Sequence, residues 1–279
     1  MKALVMRAPG TNCDSEMVRC LREVGFDAQL VHINDVLRRK NLADYDVLVF
    51  PGGFSYGDYV RSGAIWGKKF VAVLKDELRE FVAAKKPILG VCNGMQVLVE
   101  AGLIPRTSDY PEAAMASNSL GYRCMWTWLR VEKNACGMAR LYKKGEVLAV
   151  PVAHGEGRYT VAPGTERKAV ADLDAAGQVV FRYCKPDGSA ADGEYPWNPN
   201  GSLADIAGIC NPEGNVLAMM PHPERASFFW QSPDWTSAGR IPQYASYKDG
   251  KRDDGLRLFK GLASCSLHSA ECSKSRRSI

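Results

Sequence analysis

The 279-residue sequence contains no CxxC pair, no secretory leader and no apolar run long enough to span a membrane, and its nine cysteines follow no regular spacing. These absences leave a structural zinc site and a disulfide framework without support, and they fit reduced thiols in a soluble cytoplasmic protein. No GxxxxGK[ST] stretch is present, so no loop built to cradle a nucleoside triphosphate can be read. No GxGxxG opens a helix after the first strand, which leaves dinucleotide binding poorly supported. The net charge is +5, but Lys and Arg are scattered among nearly as many Asp and Glu, apart from a short basic end at Lys274, Arg276 and Arg277. Cations clustered among aromatics, the mark of a nucleic-acid face, are missing.

What is present alternates. Lys2 to Ala8 is a short apolar run closed by Pro9-Gly10 and reads as a buried first strand. Met17, Leu21 and Val24 fall at helical spacing, with Asp14 or Ser15 as a cap and Gly25 as the stop. Strand signals return at Ala28 to Ile33, Val47 to Phe50 and Ile88 to Val91. Helical patterns follow at Lys68 to Lys86 and Asn93 to Ala101. This order predicts an α/β fold with a doubly wound, mostly parallel sheet, and ligands of such sheets sit beyond the carboxyl ends of the strands. In the second half, Tyr122 to Val131, Val147 to Ala153 and Val179 to Tyr183 read as strands without clear helices between them. Ile206 to Ile209 and Val216 to Met220 flank the turn-forming Asn211 to Asn215, so antiparallel additions to the sheet are expected. A last helix is expected over Asp253 to Leu262. One domain over 1–262 and a Ser-rich, mobile tail over 263–279 complete the reading.

Three of these junctions carry chemistry. Gly90-x-Cys92-x-Gly94 between a strand and a helix has the form of a nucleophile elbow: glycines remove the Cβ atoms that would collide in a sharp turn, and the helix start favours thiolate. Buried packing is the commoner fate of a cysteine, so the motif needs partners. "PGGFSYGD", Pro51 to Asp58, closes the strand before it. Its glycines let backbone amides approach an oxyanion, with the amide of Asn93 as the second donor, although most Gly-Gly pairs are plain turns. "MMPHPER" places His222 between two prolines with Glu224 two residues on, so that the carboxylate can hold one ring nitrogen while the other faces a thiol. His154 in "VAHGEGRY", with Glu156 two residues on, is a rival base, and spacing does not choose between the two histidines. His32 and His268 read as structural or surface residues.

Taken together, these segments resemble the class I, triad-type glutamine amidotransferase family from residue 1 to about Leu262. Within it, "RAPGTNCD", "PGGFSYGDYVRSG", "GVCNGMQVL", "VAHGEGRY", "YPWNPNGS" and "IAGICNPEGNVLAMMPHPER" are similar to the glutaminase subunits of phosphoribosylformylglycinamidine synthase, which act in purine biosynthesis. The resemblance implies a flavodoxin-like sheet and a triad with Cys92 as nucleophile, His222 as general base and acid, and Glu224 as its orienting partner. It makes Gly53 and Asn93 the oxyanion donors and gives Gly52, Gln96 and His154 a part in binding glutamine. It implies no metal and no cofactor on this chain. Ammonia would pass to a large synthetase subunit that uses ATP and Mg, with a third small subunit in some relatives, and neither nucleic acid nor membrane is an implied partner. Phe228 to Gly250 is longer than the family leads one to expect, and its Trp230, Trp235, Tyr244 and Tyr247 are expected to pack locally rather than form a subunit contact. Two other readings share the sheet: an amidotransferase serving a different acceptor, and a non-amidotransferase binding or stress protein of the ThiJ/PfpI kind, which would have no use for "PHPER".

Overall fold

Short, wholly apolar segments form the centre of the sheet. The computed structural model describes residues 1–105, 113–132, 134–233, 235–237 and 253–275. Its first half runs β1 (Lys2–Arg7), α1 (Asp14–Glu23), β2 (Asp27–His32), α2 (Ile33–Arg39), β3 (Val47–Phe50), α3 (Ala64–Ala83), β4 (Ile88–Val91) and α4 (Asn93–Glu100). Every residue of β3 and β4 is buried, as parallel strands are when helices cover both faces. Each fully buried Leu, Ile or Val there contributes roughly 1.5–3 kcal/mol. The second half adds β5 (Ala113–Ala116), β6 (Arg123–Val131), β7 (Val147–His154), β8 (Arg158–Val161), α5 (Glu166–Ala175), β9 (Val179–Cys184), β10 (Ile206–Cys210), β11 (Val216–Met219) and α6 (Leu256–Ser275).

The main sheet has the order β2-β1-β3-β4-β11-β10-β9-β6-β7. Pairings from β2 through β11 are parallel, and those from β11 to β7 are antiparallel. The doubly wound sheet with antiparallel additions is therefore present. The key step is the return of β11 to the middle of the sheet, where Val216 to Met219 pair in parallel register with Ile88 to Val91. That register lays the chain after Met219 beside the chain after Val91. On the other side of β4, Phe50 pairs with Gly90, which brings the loop after β3 to the same edge. A bridge between Thr11 and Gly53 adds the loop after β1. Loops remote in sequence are thus lined up at the carboxyl ends of neighbouring strands.

Several expectations are refined. The first helix is capped by the backbone of Cys13 with no side-chain hydrogen bond, not by Asp14 or Ser15. The third helix starts at Ala64, four residues before the apolar pattern suggests, because Gly63 and Gly67 let it lie directly against α4. A Cβ at Gly67 would stand 2.8 Å from Glu100 Cβ. Helix α5 and the β5–β8 ribbon have no counterpart in the sequence reading. The last helix continues through Leu256–Ser275 instead of ending at Leu262, so most of the segment expected to be a mobile tail is helical. Tyr244 and Tyr247 lie outside the described residues.

Candidate active site

Cys92 occupies the turn between β4 and α4 with φ 53° and ψ −109°, a conformation that costs a non-glycine residue about 1–3 kcal/mol. The turn is held from three sides. Cys92 N–H donates to Met219 O at 2.8 Å, which ties the elbow to β11. The flanking glycines are required by contact: a Cβ on Gly94 would lie 1.9 Å from Phe50 O, and one on Gly90 would lie 2.6 Å from Leu98 Cδ1. The residue is 4% exposed, and its Sγ rests 3.7 Å from Ala153 O.

His222 follows β11 and is fixed through its N–H, which donates to Pro151 O at 2.8 Å. Its Nδ1 lies 2.6 Å from Glu224 Oε1, with both side chains essentially free of solvent. The two do not face each other across an extended segment, as the i, i+2 argument supposes. Pro223–Arg225 is a single 3-10 turn that folds the carboxylate back under the ring. Burial is the largest single influence and works against the imidazolium, and the Glu224 carboxylate is the strongest of the groups that oppose it. Cys92 and Cys13 add to the effect, so the His222 pKa is raised well above the ordinary histidine value. The other ring nitrogen, Nε2, has no hydrogen-bond partner among the described residues. Cys92 and His222 meet over Gly52, where an added Cβ would lie 2.8 Å from His222 Cε1 and 3.3 Å from Cys92 Cβ. The thiol and the imidazole thus share one small space that a larger residue would fill. Contacts between such groups commonly tighten only when substrate arrives.

His154, the rival, ends β7 and is equally buried, but its surroundings differ. Glu156 does not face it; the Glu156 Oε2 accepts from Ser62 N–H at 2.9 Å. The ring has an amide beside it instead. Asn118 Oδ1 accepts from Gly157 N–H at 2.7 Å, which turns Asn118 Nδ2 toward His154 Nδ1 at 3.2 Å. Burial, with the charge of His222 second, pulls the His154 pKa down to about 3. A ring that stays neutral through the physiological range and lacks a carboxylate is a poor general base.

Gly53 has φ +145°, and a Cβ there would lie 2.6 Å from Gly10 O and 2.7 Å from Thr11 Cα, so only glycine fits. Asn93 is the first residue of α4, where a backbone N–H has no partner within the helix. Its side chain is a brace: Oδ1 accepts from Ser55 N–H at 3.3 Å, and Nδ2 donates to Gln96 Oε1 at 2.8 Å. Gln96 in turn donates to Glu156 O. One chain of amides therefore links the Gly-Gly loop, the elbow helix and the 154–157 loop. The "NPNGS" stretch supports that loop from behind, with Asn200 Nδ2 donating to Gly157 O at 2.8 Å and Ser202 Oγ accepting from Tyr159 N–H at 3.0 Å.

The sequence reading missed Cys13, although "TNCD" follows the first strand at the same edge of the sheet. Cys13 Sγ lies 3.9 Å from His222 Nδ1 and accepts from Arg225 Nη2 at 3.2 Å. Burial raises its pKa, against the opposing pull of His222. The segment after Glu224 is also engaged. Gln231 Nε2 donates to Glu224 O at 2.9 Å. Phe228 and Trp230 stack at 4.9 Å with the Arg19 guanidinium 4.6 Å over Phe228. Trp230 and Trp235 nevertheless remain about half exposed.

Comparison with known proteins gives a consistent picture. Residues 1–263 match the model of the CobB/CobQ-like glutamine amidotransferase domain. The phosphoribosylformylglycinamidine synthase subunit PurQ of Methanothrix thermoacetophila is 44% identical over 255 residues, 88% of this chain and 93% of that protein. The same-named subunit of Archaeoglobus fulgidus is 43% identical over 83% of this chain and 89% of that protein. Among solved structures, PurLQS from Thermotoga maritima superposes with a TM-score of 0.68 at 32% identity, covering 94% of this chain and 97% of that one.

Proposed function

From its membership of the CobB/CobQ-like glutamine amidotransferase family, to which this chain belongs together with the PurQ subunits, we propose that it is the glutaminase subunit of a phosphoribosylformylglycinamidine synthase. It releases ammonia from glutamine for an ATP-dependent step of purine biosynthesis. The observation that carries the reading is the buried His222–Glu224 pair, at 2.6 Å, set against an elbow cysteine by the parallel register of β11 on β4.

The Cys92 sulfur attacks the side-chain amide carbon of glutamine. The carbonyl π electrons move to oxygen, where the N–H groups of Gly53 and Asn93 receive the charge. His222 takes the thiol proton on Nε2 and gives it to the departing nitrogen as the C–N bond breaks, so ammonia leaves and a γ-glutamyl thioester remains. Water, deprotonated by the same ring, then cleaves the thioester to glutamate and restores the thiol. Glu224 fixes the Nδ1–H tautomer and stabilises the imidazolium formed in both halves. Gly52, Gln96 and His154 shape the glutamine pocket, His154 through a neutral ring. The ammonia passes to a large synthetase subunit that binds ATP and Mg, with a third small subunit completing a cytoplasmic complex. Support for that partnership is the likeness to the Thermotoga maritima PurLQS structure. Among the described residues no helix is long and apolar enough to cross a membrane.

Two measurements test this. A diazo-ketone analogue of glutamine should label Cys92 and no other thiol on peptide mapping. In the assembled complex, Cys92→Ala should abolish glutamine-dependent synthesis of formylglycinamidine ribonucleotide and leave ammonia-dependent synthesis largely intact. Labelling elsewhere, or loss of both activities in a folded variant, would overturn the assignment.

A further inference from the structure

A second cysteine stands on the side of His222 that faces Glu224. The Sγ of Cys13, a ring nitrogen of His222 and a carboxylate oxygen of Glu224 lie within 4.8 Å of one another, and all three side chains are buried. This is a sulfur, nitrogen and oxygen donor set of the kind that zinc-class cations take. Zn–S of about 2.3 Å and Zn–N of about 2.0–2.1 Å in a tetrahedron put sulfur and nitrogen roughly 3.6 Å apart, and Cys13 Sγ and His222 Nδ1 are 3.9 Å apart. A second observation points to a ligand: among the described residues the buried Glu224 Oε2 has no hydrogen-bond partner, although Oε1 is held by the ring. A carboxylate oxygen left bare in the interior is costly unless something else can use it.

We propose that Cys13, His222 and Glu224 form an inhibitory binding site for a borderline-soft divalent cation of the zinc type, distinct from any cofactor and incompatible with turnover. Coordination through Nδ1 displaces the proton from that nitrogen. A neutral imidazole carries a single N–H, so the ring's proton must then sit on Nε2. Its lone pair is no longer available to take the Cys92 proton, and the carboxylate that stabilises the imidazolium is consumed as well. Arg225, which donates to Cys13 Sγ at 3.2 Å, favours the thiolate that a metal needs but repels the cation itself. That balance makes the site a reversible one rather than a permanent structural centre.

The inhibitory consequence rests on the glutaminase reading, whereas metal binding does not, and the test separates the two. Cobalt(II), the spectroscopic stand-in for zinc, is titrated into the full chain while the thiolate-to-cobalt absorption in the near ultraviolet is followed. Wild type and Cys92→Ser should develop the band with similar affinity. Cys13→Ser should lose it, or require a concentration raised by more than the 10–100-fold that loss of an outer-shell partner costs. Cys13→Ala and His222→Gln are the second variants should the serine form not fold, and each should lose the band. In parallel, zinc should suppress glutamine hydrolysis by the wild type, and a chelator should restore it. The site is overturned if no band forms, if the band survives in the Cys13 variants, or if Cys92→Ser abolishes it. A band without suppression of hydrolysis overturns the inhibitory role. A wild type that shows the band yet never hydrolyses glutamine in its complex overturns the glutaminase reading and leaves the metal site standing.

Discussion

His222 and His154 are near twins in the chain. Each lies at or just past the end of a strand, each is followed by a glutamate two residues on, and each is almost wholly removed from solvent. Their protonation equilibria nevertheless move in opposite directions, His222 upward and His154 down to about 3. Burial alone would lower both. What separates them is which group the following turn presents to the ring. The 3-10 turn after His222 delivers Glu224 Oε1 to Nδ1 at 2.6 Å. After His154 the chain turns Glu156 outward to the N–H of Ser62, and an asparagine amide takes its place beside the ring. A buried imidazole thus gains or loses its hold on a proton according to one neighbour, and the neighbour is chosen by backbone geometry.

The comparison can be broken most sharply by removing the rings. In the complex with the synthetase, His222→Ala should lower glutamine hydrolysis roughly 10⁴- to 10⁶-fold, as expected when a base acts as one unit with its nucleophile. His154→Ala should cost about tenfold, mainly in KM, the size of one lost hydrogen bond. The reverse order would exchange their roles. The glutamates come next. Glu224→Gln keeps the shape but removes the charge, and kcat should fall by about 10²- to 10⁴-fold. Glu156→Gln should leave kcat within a few-fold and cost about 1 kcal/mol in denaturant unfolding, because its carboxylate serves the backbone of Ser62.

Stability against pH separates the two rings as well. The His154 pKa is lower folded than unfolded, so between pH 6.5 and about 3 the unfolded chain holds a proton that the native one refuses. Stability should fall with decreasing pH across that window, with a contribution of about 1.4 kcal/mol per pH unit that is absent from His154→Gln. His222 has the opposite sign: its raised pKa contributes stability that is complete below pH 6.5 and lost as pH rises through the folded value. Equal acid slopes for wild type and His154→Gln would show that the ring is not held neutral.

Much of the site was legible in the chain because the elbow is a local device. Gly90, Cys92 and Gly94 announce themselves by spacing, and the contacts of Gly94 with Phe50 and of Gly90 with Leu98 show why no larger residue stands there. The parallel half of the sheet was legible because β3 and β4 are uninterrupted apolar runs. Helix α5 was not, since Leu173 is its one buried residue and a helix that buries a single side chain has no apolar period to read. Cys13 went unnoticed for a different reason. Nothing near it in sequence is titratable chemistry of the same kind, and it meets His222, 209 residues away, only through the bridge of its loop to Gly53 and the position of β1 beside β3.

The sequence by itself determined the candidate reacting groups, the sharp turn that presents the sulfur and the alternation that builds a parallel sheet, because each depends on residue type and short-range spacing. Only the tertiary structure decided which imidazole pairs with a carboxylate and which thiol stands beside it. Those outcomes depend on β11 returning to lie against β4, and on a single 3-10 turn that aims one carboxylate inward while its counterpart points away. Pairing across such distances is fixed by packing of the whole sheet, and short-range spacing carries no measure of it.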